Sequence, residues 1–146
     1  MKTVAQLLKL KALDNQQVHT IGSTNMVLEA LKLMAEKNIG ALPVVDSGKL
    51  VGMISERDYA RKMVLMGRSS VGTPVSAIMS GKVITVDSSQ TVETCMAIMT
   101  DSHLRHLPVV DDGQLLGLLS IGDLVKEAIA EQANLIEQLE QYIRGA

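Results

Sequence analysis

Leu42-Pro43-Val44-Val45-Asp46-Ser47-Gly48-Lys49-Leu50-Val51-Gly52-Met53-Ile54-Ser55-Glu56-Arg57-Asp58 occurs a second time, as Leu107-Pro108-Val109-Val110-Asp111-Asp112-Gly113-Gln114-Leu115-Leu116-Gly117-Leu118-Leu119-Ser120-Ile121-Gly122-Asp123. The copies lie 65 residues apart and align without a gap. The register extends upstream: Val18 maps onto Val83, Thr20 onto Thr85, Ser23 onto Ser88, Val27 onto Val92 and Met34 onto Met99. Self-similarity at a fixed period constrains the fold before any local reading does.

Working outward, Leu42–Val45 and Leu50–Ile54 are β-rich runs joined by Asp46-Ser47-Gly48-Lys49. A connection this short makes them an antiparallel hairpin. Upstream, Val18-His19-Thr20-Ile21 alternates like a strand. Ser23 or Thr24 is then available as an N-cap for a helix carrying Val27, Leu28, Leu31, Met34 and Ala35. That helix is expected to end near Lys37-Asn38, with Gly40 beyond it. Downstream, Glu56–Met66 reads as a helix with Glu56 and Asp58 in its first turn, where the helix dipole favours acids. The second copy predicts a strand at Val83–Val86 and a helix from about Ser89 to Ser102. It also predicts strands at Leu107–Val110 and Leu115–Leu119 and a helix from Ile121 through Tyr142. Each repeat is therefore strand, helix, strand, strand, helix, a mixed α/β (α+β) class.

The expected organisation is an N-terminal helix over residues 1–15, repeat one over 16–70, a lead-in linker helix over 71–80, repeat two over 81–130 and a C-terminal helix extension over 131–146. In the N-terminal helix Val4, Leu7, Leu8 and the stem of Lys11 share a face. The lead-in Val75-Ser76-Ala77-Ile78-Met79 resembles Val4-Ala5-Gln6-Leu7-Leu8. Near the end of the chain, Leu135, Ile136, Leu139, Tyr142 and Ile143 form an apolar stripe. It either packs on the N-terminal helix or contacts a second copy.

Of the 146 residues 47% are hydrophobic, with no Trp, no Phe and two Tyr, so Leu, Ile, Val, Met and Ala must build the core. Lack of aromatic platforms argues against stacking on single-stranded nucleic acid. A net charge of −2 gives no basic footprint for duplex binding. One cysteine, Cys95, excludes an internal disulfide and falls in helical register as a small buried hydrophobe. No apolar run reaches the length of a membrane span. Met1-Lys2-Thr3-Val4-Ala5 shows no apolar signal core, so a cytoplasmic protein is expected.

Two features that carry chemistry recur. In Gly52-Met53-Ile54-Ser55-Glu56-Arg57-Asp58 and Gly117-Leu118-Leu119-Ser120-Ile121-Gly122-Asp123, a strand glycine admits a close approach. The serine hydroxyl then emerges at a helix N-terminus, where anions are stabilised, with the aspartate one turn deeper. Such a pair suits a sugar-phosphate, with the carboxylate accepting from ribose hydroxyls. It equally suits a capping box. In Leu-Pro-Val-Val-Asp, proline starts a strand or sits at an edge, leaving neighbouring carbonyls free for a ligand amino group. No Ser-His-acid or Cys-His grouping appears within a motif, and His19, His103 and Cys95 are too few for a metal site, so no enzyme is expected.

The doubled Pro-Val-Val-Asp…Gly-h-h-Ser-x-x-Asp pattern, h being an apolar residue, resembles a tandem pair of CBS (cystathionine-β-synthase) domains, a Bateman module, over residues 18 to about 130. The run Ile54–Lys62 with Gly67-Arg68-Ser69-Ser70 and Arg105-His106-Leu107-Pro108 is similar to two-repeat proteins of bacteria and plant organelles with no fused catalytic domain. The resemblance implies two β-α-β-β-α repeats related by a pseudo-two-fold axis with their sheets packed together. It implies two clefts between the repeats for an adenosine ligand: AMP, ADP, ATP, NAD(H) or S-adenosylmethionine. Carried over, Asp58 and Asp123 hold ribose hydroxyls, and Ser55 and Ser120 contact ribose or phosphate. Thr20 and Thr85 line the adenine pocket, and backbone near Ala41-Leu42-Pro43 and His106-Leu107-Pro108 contacts the base. Arg57, Arg61, Arg68, Ser69, Ser70, Lys82, Arg105 and His106 are the phosphate candidates. The Gly67–Ser70 loop is either an anion nest or a solvated linker. The function expected is a regulatory sensor of energy or redox state, without a catalytic cofactor, acting as a disc-like homodimer on an unknown regulated protein. The alternative is an interaction subunit with vestigial clefts.

Overall fold

The computed structural model describes residues 2–13 and 17–145. The chain forms α1 (Val4–Leu13), α2 (Val27–Lys37), β1 (Ala41–Asp46), β2 (Lys49–Ser55), α3 (Glu56–Asp58), α4 (Val92–Ser102), β3 (His106–Asp111), β4 (Gln114–Ser120) and α5 (Ile121–Gly145). A π-helical stretch, Tyr59–Val64, continues α3, and a 3-10 turn, Val75–Ala77, precedes the second repeat. The 65-residue offset carries α2 onto α4, β1 onto β3 and β2 onto β4, residue for residue.

Both hairpins turn on two residues of positive φ, Ser47 (50°) with Gly48 (80°) and Asp112 (50°) with Gly113 (79°). Two successive left-handed residues match the twist of the flanking strands. The hairpins join in one antiparallel sheet of order β1-β2-β4-β3, where Lys49 pairs with Gln114. These two positions are equivalent in the repeats, so the pseudo-two-fold axis runs between them. Each repeat keeps its own apolar core. Val27, Ala30, Met34, Leu42, Val44 and Ile54 pack in the first, with Val75 and Ile78 from the lead-in segment. Val92, Cys95, Met99, Leu107, Val109 and Leu119 pack in the second, with Val4 and Leu7 from α1. Fully burying side chains of this size contributes about 1.5–3 kcal/mol each. Cys95 is a core residue with no exposure, and burial foremost, then Asp87, pushes its thiol pKa up.

Several expectations need correction. The strands expected at Val18–Ile21 and Val83–Val86 shrink to single parallel bridges, Ile21 with Val44 and Val86 with Val109. The proline is the reason. Ile21 N–H donates to Pro43 O and Val45 N–H to Ile21 O. The next rung needs an N–H at position 43, which proline lacks. Pro108 ends the ladder of Val86 in the same way. The prolyl carbonyls are therefore engaged, by Ile21 and Val86, rather than free for a ligand.

Neither Ser23 nor Thr24 caps α2, because Ser23 is turned to Asp46, which accepts from both its N–H and its hydroxyl. Met26 is the N-cap, without a side-chain bond. The helix predicted from Ser89 starts at Val92, capped by Thr91, whose hydroxyl accepts from Thr94 N–H. Asn38 (φ 55°), not Gly40, takes the left-handed position after α2. The helix predicted over Glu56–Met66 is α-helical only to Asp58 before widening into the π-helix. The lead-in linker helix over 71–80 reduces to the 3-10 turn. Leu135, Ile136, Leu139, Tyr142 and Ile143 do not pack on α1; each is 54–77% exposed. Asp14 and Asn15, expected at the end of the N-terminal helix, and Gln16, expected at the start of repeat one, lie outside the described residues.

Candidate functional site

Both serine–aspartate pairs close as capping boxes. In the first, Ser55 N–H donates to Asp58 Oδ2 at 3.0 Å and Asp58 N–H to Ser55 Oγ at 3.1 Å. In the second, the same bonds run from Ser120 N–H to Asp123 Oδ2 at 2.8 Å and from Asp123 N–H to Ser120 Oγ at 3.1 Å. Removing such a cap typically costs about 1 kcal/mol. The boxes fix each carboxylate at a helix N-terminus with Oδ2 used internally, and both carboxylates line clefts.

One cleft, of about 830 Å³, sets Ser120 and Asp123 of repeat two against Val18, His19, Lys37, Asn38 and Ile39 of repeat one. The other, of about 620 Å³, sets Ser55, Arg57 and Asp58 of repeat one against Val83, Ile84, His103, Leu104 and Arg105 of repeat two. Ala41 and His106, equivalent residues, line both. Each cleft thus joins the Ser-Asp motif of one repeat to the helix end and pre-strand segment of the other. The proline-terminated ladders produce this. Residues 17–20 and 83–85 are free of strand pairing, which leaves their side chains available to the clefts.

Of the predicted residues, the Asp58 cleft gathers Ala41, Ser55, Arg57, Asp58, Lys82, Arg105 and His106. The Asp123 cleft gathers Ala41, His106, Ser120 and Asp123. Others lie outside both linings. Leu42 is in the core, and Pro43 and Pro108 are buried in their strands. Thr20 and Thr85 are exposed, one residue beyond the lining positions His19 and Ile84. Arg61 and Ser69 are exposed; Arg68 donates to Ala77 O at 3.3 Å, and Ser70 O accepts from Leu28 N–H.

Sequence reasoning missed Lys11. Its ammonium donates to Asp123 Oδ2 and to Leu118 O, both at 2.7 Å, inside the Asp123 cleft. Burial pushes the Asp123 pKa up, but the bonds from Lys11 and Ser120 outweigh it and hold the carboxyl below its ordinary 3.8. His106 is held below its ordinary 6.5, first by burial and then by Lys11 and Arg105, against the pull of Asp123. It therefore faces the clefts as a neutral imidazole at pH 7. Asp58 is held differently, by Lys62 of its own helical segment at 3.3 Å from Oδ1. The signal for Lys11 was present: its stem shares the face of Val4, Leu7 and Leu8.

The motif glycines also differ in what covers them. A Cβ on Gly117 would lie 2.6 Å from Leu8 Cδ2, and one on Gly52 would lie 2.7 Å from Met79 Sδ and 2.9 Å from Ser80 O. The close approach expected at both glycines is made by the chain's own lead-in segments. No group of three or more His, Cys, Asp or Glu suited to a metal occurs among the described residues, and no helix there is long and apolar enough to cross a membrane.

A duplicated unit of isolated bridge, helix, strand, strand and helix, with hairpins meeting on a pseudo-two-fold axis and two clefts between the copies, defines a paired-repeat module. The CBS domain family model matches residues 10–65 and 75–130, and the chain belongs to that family as a tandem pair. It is 43% identical over 124 residues to the mitochondrial CBS domain-containing protein CBSX3 of Arabidopsis thaliana, covering 82% of this chain and spanning 60% of that relative's length. A solved structure of a CBS-domain protein from Burkholderia ambifaria MC40-6 superposes with a TM-score of 0.83 at 53% identity, over 90% of this chain and 96% of that one. Two further solved structures carry ligands. CBSX2 in complex with AMP matches with a TM-score of 0.72 at 26% identity, over 89% of this chain and 98% of that one. The CBS domain pair of MJ0100 in complex with 5′-methylthioadenosine and S-adenosyl-L-methionine matches with a TM-score of 0.74 at 27% identity, over 90% of this chain and 98% of that one.

Proposed function

We propose that this protein is a regulatory adenine-nucleotide sensor, not an enzyme, that binds AMP, ADP, ATP or NAD(H) between its repeats and passes the ligand state to a partner protein in the cytoplasm. The observation that supports it most is the Asp58 cleft. A capped carboxylate there lies with Arg57, Lys82 and Arg105, from both repeats, around about 620 Å³. A carboxylate accepts a ribose diol, and guanidinium and ammonium groups bind phosphate. Apolar walls from Met53, Val83, Ile84 and Leu104 suit a purine. The complexes of CBSX2 with AMP and of MJ0100 with two adenosine derivatives support the ligand class.

A ligand that touches both repeats can bias their relative arrangement only by binding one arrangement more tightly than another. The exposed stripe of Leu135, Ile136, Leu139, Tyr142 and Ile143 on α5 supports a homodimer or partner contact that receives this bias. Calorimetric titration of nucleotide-stripped protein with AMP, ADP, ATP, NAD, NADH and S-adenosylmethionine tests the proposal. Micromolar binding of one or more is expected; absence of heat and of competition from every ligand overturns it.

A further inference from the structure

The two lead-in segments are equivalent beyond the run that the sequence pattern exposed. Leu8 covers Gly117 and Met79 covers Gly52, the same position of the two repeats. Aligning Leu8 with Met79 also brings Val4 onto Val75 and Leu7 onto Ile78, and all four of these residues are buried. Three residues further on, the same alignment brings Lys11 onto Lys82. Each cleft therefore contains one lysine from the segment that covers its motif glycine.

Their states differ. Lys11 is paired with Asp123 at 2.7 Å, with both side chains about one-fifth exposed. Lys82 is exposed and has no ion pair among the described residues. The cause is a charge exchange at equivalent positions of the following helices. Position 62 is lysine and holds Asp58, but its counterpart, Glu127, cannot hold Asp123. The N-terminal segment supplies both missing cations, Lys2 to Glu127 at 2.8 Å and Lys11 to Asp123. Lys62 does not line the Asp58 cleft, whereas Lys11 lies within the Asp123 cleft, on the carboxylate.

We infer that Lys11 and Lys82 are the residues that rank the two clefts and make them select a phosphate-bearing ligand, Lys82 by meeting the phosphate directly and Lys11 by occupying Asp123 until a phosphate draws it away. This rests on the nucleotide reading above and deepens it. A ribose diol reaching Asp123 competes with an ammonium already bound to Oδ2. A nucleoside offers nothing to that displaced cation, while a nucleotide offers its phosphate. In the Asp58 cleft the cation on the carboxylate, Lys62 at 3.3 Å from Oδ1, stands outside the lining rather than in the ligand's place, so this cleft fills first. Filling the Asp123 cleft removes one of the two ion pairs that, among the described residues, fasten the N-terminal segment to repeat two, and the one that α1 itself makes, so the N-terminal helix loosens only when the second cleft is occupied.

The experiment titrates AMP and adenosine into wild type, Lys11→Met, Lys11→Arg and Lys82→Met. Methyl NMR follows each cleft, and deuterium exchange follows the amides of α1. In Lys11→Met, adenosine is expected to bind the Asp123 cleft roughly tenfold more tightly than in wild type, as a charge-assisted competitor is lost. Exchange in α1 is then raised before any ligand is added, and AMP adds little. In wild type AMP raises it only as the second cleft fills. Lys11→Arg restores slow exchange. Lys82→Met weakens AMP but not adenosine in the Asp58 cleft, roughly tenfold. Ligand binding with the same site affinities and α1 exchange in wild type and Lys11→Met overturns this inference alone. No binding by AMP or adenosine to any of the four proteins overturns the nucleotide reading and this inference together.

Discussion

The Asp58 and Asp123 clefts are built from equivalent residues and are not equivalent sites. In the first, three cations from both repeats surround a carboxylate that is supported from behind by its own helix. In the second, the carboxylate is already satisfied by Lys11 from outside the repeat. Duplication copies backbone, caps and cleft walls, because these depend on proline, glycine, serine and aspartate at fixed offsets. It does not copy charge balance, which a single exchange such as Lys62 for Glu127 reverses.

The comparison is sharpest at the carboxylates. Asp58→Ala should weaken the first AMP equivalent by about 30- to 100-fold, the loss of a charged acceptor for two hydroxyls. Asp123→Ala should change that first equivalent by less than about twofold, since the two residues line different clefts. Calorimetry on both variants reads the difference.

The glycines give the next effect. Gly52→Ala drives a Cβ against the backbone oxygen of Ser80, whereas Gly117→Ala meets only the end of the Leu8 side chain, which can rotate. Urea denaturation should show a cost of about 1–3 kcal/mol for Gly52→Ala, as for overpacking, and less than about 1 kcal/mol for Gly117→Ala.

Smaller again are the lysines behind the clefts. Lys2→Ala leaves Glu127, whose side chain is 7% exposed, without its cation and should cost about 1–2 kcal/mol. Lys62→Ala removes a half-exposed partner and should cost less than about 1 kcal/mol. Equal costs would show that the buried carboxylate of repeat two is compensated elsewhere.

The smallest effect is pH dependence at the pair Ala41 and His106. A histidine whose folded pKa is below its ordinary 6.5 binds its proton less readily folded than unfolded. Stability should therefore fall as pH drops below 6.5 and level off below the folded value. His106→Ala, which gives repeat two the residue found in repeat one, should abolish this dependence. Asp123, also lowered, acts in a separate window: its contribution is complete above its ordinary 3.8 and is lost as pH falls through the folded value. Thermal unfolding at stepped pH separates the two.

Both hairpins and the capping aspartates were legible because each rests on residues with strong local preferences, such as Ser47-Gly48 at positive φ. The duplicated Ser-x-x-Asp likewise located both clefts. What was not legible depended on contacts distant in sequence. Val18–Ile21 alternates as a strand should, but its ladder ends at a proline in another segment. Ser23 is a good cap by type, but Asp46 takes its hydroxyl from 23 residues away. Thr20 and Thr85, which the family resemblance places at the adenine pocket, lie one residue beyond the lining positions His19 and Ile84. Lys11 was read as the stem of an amphipathic helix, and its pairing with Asp123 spans 112 residues.

The most direct test of unequal clefts is a methyl-resolved NMR titration of stripped wild-type protein with AMP. Met53 and Ile84 report on the Asp58 cleft, and Leu8 and Leu118 on the Asp123 cleft. The account predicts that Met53 and Ile84 shift with the first equivalent while Leu8 and Leu118 move only at higher AMP. Simultaneous movement of both pairs with one midpoint, or Leu8 and Leu118 moving first, would contradict it.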